Sequence, residues 1–226
     1  MGAELGQAGE RVLLQTFFRT VGARYKRIRK RPRGKPSPQL VELKRYQLQE
    51  LVKLWEKGTI DLRFADETHV CTSGYVPYGW QFPGEDVFVP CGERRRLNIF
   101  GMVSAGCDYD GFDTEDSIDG ETLAAFLDDF SKRITKPTVI VLDNASIHRK
   151  GRVIGMAETW KDRGLLLFFL PPYSPELNIA ETLWRILKGR WLEPGDYLNR
   201  DTLHETTREI LAGIGTKYVI DFKHVA

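Results

Sequence analysis

The chain reads as an α/β protein whose sheet is covered by helices on both faces. Three observations predict this. Early segments alternate apolar and polar residues as strands do. Two later runs, Thr138-Val-Ile-Val-Leu142 and Leu165-Leu-Leu-Phe-Phe-Leu170, are continuously apolar, as suits strands buried on both sides. Amphipathic helical stretches alternate with these runs and then close the chain.

Taken in order, Val12–Val21 is a short apolar stretch long enough for one helix. Pro38–Lys57 is a second, with Leu40, Leu43, Leu48, Leu51 and Leu54 mostly at helical spacing and Gly58 to stop it. Ile60-Asp-Leu-Arg-Phe64 alternates as a strand and is expected to stop at Ala65-Asp66-Glu67. Residues 75–89 mix aromatics with Gly and Pro and read as a loop or loose hairpin. Leu97–Val103 is a second strand, and Cys107–Phe112 turns the chain into a third. Asp119 is placed to cap a helix whose Leu123, Phe126, Leu127, Phe130 and Ile134 form one stripe. After the Thr138–Leu142 strand, a helix over 152–163 leads to the strand at 165–170. Pro171-Pro-Tyr-Ser-Pro175 is a rigid turn, with Ser174 as cap and Pro175 at the first position of the next helix. A final helix spans roughly 200–213.

Composition narrows the function classes. Of 226 residues, 42% are hydrophobic, too many for a wholly disordered chain and enough for a real core. No run of about 18 apolar residues is present, so no membrane span is expected, and no secretory signal pattern opens the chain. Cys71, Cys91 and Cys107 include no Cys-x-x-Cys pair, which argues against a disulfide framework or structural zinc and for a reducing, cytoplasmic setting.

The formal net charge of +2 conceals a division. Residues 1–58, read as a basic N-terminal helical arm and linker, hold 14 Lys+Arg against 5 Asp+Glu; residues 59–226, read as an acidic body, hold 19 against 26. The densest basic part is Arg24, Lys26, Arg27, Arg29, Lys30, Arg31, Arg33 and Lys35, interrupted by prolines that keep it a linker. Such a segment suits sequence-independent, salt-sensitive phosphate contacts. A solvated linker that binds nothing is the plain alternative.

Three acids stand out by position. Asp66 and Asp143 each follow a strand, and Glu181 lies one to two turns inside a helix with a proline-braced start. Carboxylates at the strand ends of an α/β sheet face the crevice where ligands bind. Three of them suit Mg²⁺, and two ions can stabilise the attacking and leaving oxygens of a phosphodiester displacement. Singly, each has an ordinary reading: a turn residue for Asp143-Asn144, an exposed helix face for Glu181 paired with Arg185. Glu67 alternates away from Asp66, and Glu176 complements a helix dipole, so both read as bystanders.

At these residues the chain resembles the DDE transposases, specifically the bacterial insertion-sequence branch of the mariner superfamily. The resemblance rests on Asp66-Glu67 after a strand, on Val141-Leu-Asp-Asn-Ala-Ser-Ile-His148, and on Leu170-Pro-Pro-Tyr-Ser-Pro-Glu-Leu-Asn-Ile-Ala-Glu-Thr-Leu-Trp-Arg-Ile-Leu-Lys188. It covers about residues 22–222, and 37 residues separate Asp143 from Glu181. It implies a ribonuclease H-like mixed sheet flanked by helices. It also implies a catalytic, metal-holding triad of Asp66, Asp143 and Glu181 with two Mg²⁺ or Mn²⁺ ions. Asn144, His148 and Asn178 fall within the matching motifs as supporting or DNA-contacting residues, with a satisfied core or helix-start histidine as the alternative for His148. Tyr78 and Trp80 are read as packing residues rather than base-stacking ones.

The activity implied is excision of an insertion sequence and strand transfer into double-stranded DNA, usually at a TA step. The setting implied is a homodimer on paired ends, in a bacterial cytoplasm and at the nucleoid when DNA-bound. Ile179-Ala180 replaces the family's usual Pro-Ile. Only about 20 residues precede Arg24, too few for one three-helix reading unit. The N-terminus is therefore expected to be a remnant of a helix-turn-helix region, in a truncated copy or the second product of a split frame. Two other readings stay open: a catalytically inactive DNA-binding remnant or regulator, and a metal phosphohydrolase that never joins strands.

Overall fold

The computed structural model describes residues 16, 20, 37–72, 96–145, 148, 151–172 and 174–222. The helix expected over 12–21 (apart from Thr16 and Thr20, both helical), the basic run 24–35, the loop 75–89 with Tyr78 and Trp80, and Cys91 lie outside the described residues. The chain divides into two compact units, residues 1–33 and 34–226, and the second carries the sheet.

That sheet has five strands: β1 (Asp61–Val70), β2 (Leu97–Ser104), β3 (Tyr109–Thr114), β4 (Thr138–Leu142) and β5 (Leu165–Phe169). Their order is β3-β2-β1-β4-β5. β1 pairs antiparallel with β2 and β2 with β3, while β1–β4 and β4–β5 are parallel. This is the ribonuclease H-like mixed sheet that the resemblance implies. The helices are α1 (Pro38–Glu56), α2 (Gly120–Arg133), α3 (Gly151–Asp162), α4 (Ala180–Ile186) and α5 (Arg200–Ala212). Among the described residues, no helix is long and apolar enough to cross a membrane.

Strand alternation sorts the core into two layers. Leu62, Phe64, Val139 and Val141 face one way and pack with Leu48 of α1, Leu183 and Trp184 of α4, and Leu203 and Ile210 of α5. Ala65, Ile140 and Leu142 face the other way and pack with Leu123 and Leu127 of α2 and Val153 and Trp160 of α3. Several sequence expectations hold in detail. Pro38 opens α1, Gly58 stops it with φ of 72°, and Asp119 caps α2 by accepting a 2.8 Å bond from Thr122 N. All five residues of β4 are buried.

Three local expectations are corrected. β1 does not stop at Ala65–Glu67. Its parallel ladder with β4 ends at Phe64, but antiparallel pairing with β2 continues to Val70 opposite Leu97. The helix expected from Pro175 is split into a 3-10 turn at Pro175–Leu177, a break at Asn178, then α4 and a π turn at Leu187–Trp191. Ser174 makes no capping bond; instead Asn178 Oδ1 accepts from Ala180 N at 3.1 Å. Glu181 therefore sits in the first turn of α4, where a carboxylate complements the helix dipole. Finally, β5 is an edge strand, with Leu166 43% exposed, rather than a second fully buried one.

Candidate active site

The sheet register brings two of the acids together. Phe64 of β1 pairs with Val141 of β4, and continuing that parallel register by two residues sets Asp66 beside Asp143 on the same face. Beyond Phe64 the antiparallel ladder with β2 positions the Asp66 backbone, which pairs with Gly101.

Two contacts set the third acid against this pair. Asn178, only 5% exposed, donates from Nδ2 to Ala65 O of β1 at 2.9 Å while its Oδ1 accepts from Ala180 N, the first residue of α4. One amide side chain thus ties the start of the Glu181 helix to the backbone preceding Asp66. Gly101 supplies the second contact. A Cβ on it would lie 2.6 Å from Trp184 Cη2 and 2.7 Å from Tyr109 Cε2. Only a residue without a side chain lets Trp184 of α4 settle over β2 at this point.

The result is a cleft of about 450 Å³ lined by Asp66, Asp143 and Glu181 together with Asn144, Asn178 and Ser174. An adjoining recess is lined by Asp66, Glu67, Glu181, Trp184, Arg185 and Lys188. Glu176 is exposed on the 3-10 turn and does not line the cleft.

Burial and charge leave their marks on these groups. Burial, together with repulsion from Glu181, Glu67 and Asp143, pushes the Asp66 carboxyl up to about 7. Asp143 is held below the usual carboxylate range, chiefly by His148 and also by Ala145 N, which donates to its Oδ1 at 2.9 Å. Burial alone would lower the His148 pKa, but its two carboxylate partners outweigh that and raise it to about 10. Lys188 is lowered by burial, against the pull of Asp66 and Glu181.

His148 is fully buried. Its Nε2 lies 2.7 Å from Glu67 Oε1, and its Nδ1 lies 2.8 Å from Asp143 Oδ1 as an ion pair rather than a well-aligned hydrogen bond. The sequence reading of Glu67 as a bystander is thereby overturned. It does alternate away from Asp66, but a histidine from the chain beyond β4 reaches round the sheet end to meet it. Lys188, in the adjoining recess, is a further residue that the sequence reading does not single out. Its signal is nevertheless there, seven residues after Glu181 and so two helical turns along the same face.

No three His, Cys, Asp or Glu side chains among the described residues form a ready-made metal cage. The donor set nevertheless fits a hard divalent cation that retains waters and takes substrate oxygens. It is oxygen-only and anionic, and the repulsion that raises Asp66 is what a cation would relieve.

The family model described as DDE superfamily endonuclease matches residues 61–204. Among solved structures, the Mos1 strand transfer complex is similar at 13% identity and a TM-score of 0.46, over 92% of this chain and 70% of that one. The Mos1 mariner paired end complex with Mn is similar at 13% identity and 0.44, over 92% and 71%. The simian T-cell lymphotropic virus intasome in complex with a PP2A regulatory subunit is similar at 13% identity and 0.46, over 82% and 54%. No curated protein matches the chain significantly.

Proposed function

The chain belongs to the DDE superfamily of endonucleases, and from that premise we propose that it is the catalytic core of a transposase, cutting DNA and transferring the freed strand in the movement of an insertion sequence. The observation that supports this most is the convergence of Asp66 from within β1, Asp143 from just past β4 and Glu181 from the first turn of α4 on one cleft.

In this reading Asp66, Asp143 and Glu181 would hold two Mg²⁺ or Mn²⁺ ions. Bound there, the ions supply the Lewis acidity that activates a hydroxyl nucleophile and stabilises the leaving oxygen. The chain's own part is positional. Both contacts to Asp143 fall on Oδ1, which leaves Oδ2 for a ligand. Asn178 fixes Glu181 against β1. Arg185 and Lys188, at the rim of the adjoining recess, offer positive charge to the phosphates on either side of the scissile bond. Asn144, in the cleft wall, is placed to touch the substrate backbone. The basic run Arg24–Lys35 adds phosphate contacts that do not read sequence. The partner is double-stranded DNA, with paired ends held by a homodimer and a TA target following from the motif resemblance.

The test is nicking of supercoiled plasmid by the full chain in Mn²⁺ or Mg²⁺. Wild type is expected to nick and Asp143→Asn, which keeps shape but loses charge, is expected to lose nicking. Equal nicking by the variant rejects the site. Salt-sensitive DNA binding with no metal-dependent cleavage by wild type favours the inactive remnant.

A further inference from the structure

Glu67 lies on the opposite face of β1 from Asp66, 81 residues from His148, yet its Oε1 sits 2.7 Å from the His148 ring. The ring's other nitrogen lies 2.8 Å from Asp143 Oδ1. A fully buried imidazole is thus clamped between two carboxylates, one on β1 and one just past the end of β4. A buried polar ring is held in one orientation by its partners, and losing one of two leaves it free to turn. Asp143 lies just beyond the end of β4, with no ladder bond of its own. Its side chain is oriented by Ala145 N and His148, both on Oδ1.

We propose that Glu67 is a positioning residue: through His148 it locks Asp143 so that one carboxylate oxygen is committed to the protein and the other is presented to the divalent ion. This rests on the reading of Asp143 as a metal ligand. The logic is that of partners behind a metal site, which set a ligand's orientation without touching the ion. It also gives a structural role to an acid adjacent to Asp66 whose charge adds to the repulsion there.

The experiment titrates the full chain with Mn²⁺ alone, read by electron paramagnetic resonance or calorimetry, alongside plasmid nicking and melting temperature. Glu67→Ala is expected to weaken Mn²⁺ binding about 10–100-fold, to leave the KM for DNA unchanged, and to regain nicking when Mn²⁺ is raised in proportion. Glu67→Gln, which still offers an oxygen to Nε2, is expected to recover most of the affinity. If the alanine variant does not fold, Glu67→Asp decides. Its carboxylate falls one methylene short of the ring, and about tenfold weaker Mn²⁺ binding is expected. Wild-type Mn²⁺ affinity in a folded alanine or aspartate variant overturns the inference while wild-type nicking leaves the enzyme reading intact. If wild type itself neither binds Mn²⁺ nor nicks DNA, both fall.

Discussion

At the scale of single residues, Asp66 carries the electrostatic cost of the site. Its carboxyl, ordinarily near 3.8, is raised to about 7 in the folded protein, first by burial and then by its acidic neighbours. A raised folded pKa means that the native state binds the proton more tightly than the unfolded chain. Its contribution to stability is therefore full below about pH 4 and is lost as pH rises toward 7. His148, raised to about 10, contributes fully below its ordinary 6.5 and loses that contribution only above it, so it does not act in the same window. In metal-free protein, Asp66→Asn is thus expected to raise the melting temperature at pH 7.5, with the gain vanishing near pH 4. A variant destabilised equally at both values contradicts the assignment. Metal reverses the sign, because a cation favours the ionised carboxylate: apparent Mn²⁺ affinity is expected to climb from pH 5 to about 7 and then level off.

At the scale of elements, the site depends on how closely α4 approaches β1 and β2. Gly101→Ala forces a Cβ into Trp184 and Tyr109. It is expected to cost about 1–3 kcal/mol and to weaken Mn²⁺ binding at the same time, because the displaced helix carries Glu181. Calorimetric melting and a Mn²⁺ titration check both effects together. Asn178→Ala breaks the tie to Ala65 O and the bond to Ala180 N at the start of α4, with an expected cost of about 1–3 kcal/mol and a matching fall in nicking.

These elements also mark what is legible in the sequence. The apolar run Thr138–Leu142 announces a buried strand, and Asp143 behind it is readable as a cleft residue. The second half of β1, Asp66-Glu-Thr-His69, is not readable as strand. It borders a cleft and pairs with β2 alone beyond the parallel ladder, so no apolar alternation is required of it. The serine and proline at 174–175 look like the start of one helix, but the chain breaks at Asn178 after a 3-10 turn, which moves Glu181 into the first turn of α4. Glu67 is hidden because its partner arrives from a loop, and loop paths follow no residue period. Lys188 is hidden only because a lysine on a helix is ordinarily a solvated one.

At the scale of the whole molecule, the charge division between residues 1–58 and 59–226 and the acidic cleft make opposite demands. On the proposed reading, divalent ions would neutralise the cleft and the basic run Arg24–Lys35 would attract a polyanion. Neutralising four of its eight cations to Gln is expected to flatten the salt dependence of DNA binding, by roughly 0.9 in log–log slope for each phosphate that the arm then leaves unneutralised. The nicking rate on DNA already bound should be unaffected. An unchanged slope removes the arm from the DNA interface. Metal is also expected to raise the melting temperature by mass action, with millimolar Mn²⁺ exceeding any effect of the same concentration of K⁺.

Anomalous diffraction from crystals of the full chain grown with Mn²⁺ tests the central claim most directly. Manganese peaks are expected between Asp66, Asp143 and Glu181, with Asp143 ligating through Oδ2 at a distance of about 2 Å, as small divalent ions require. Peaks elsewhere on the surface with none in this cleft, at Mn²⁺ concentrations that support nicking, would contradict it.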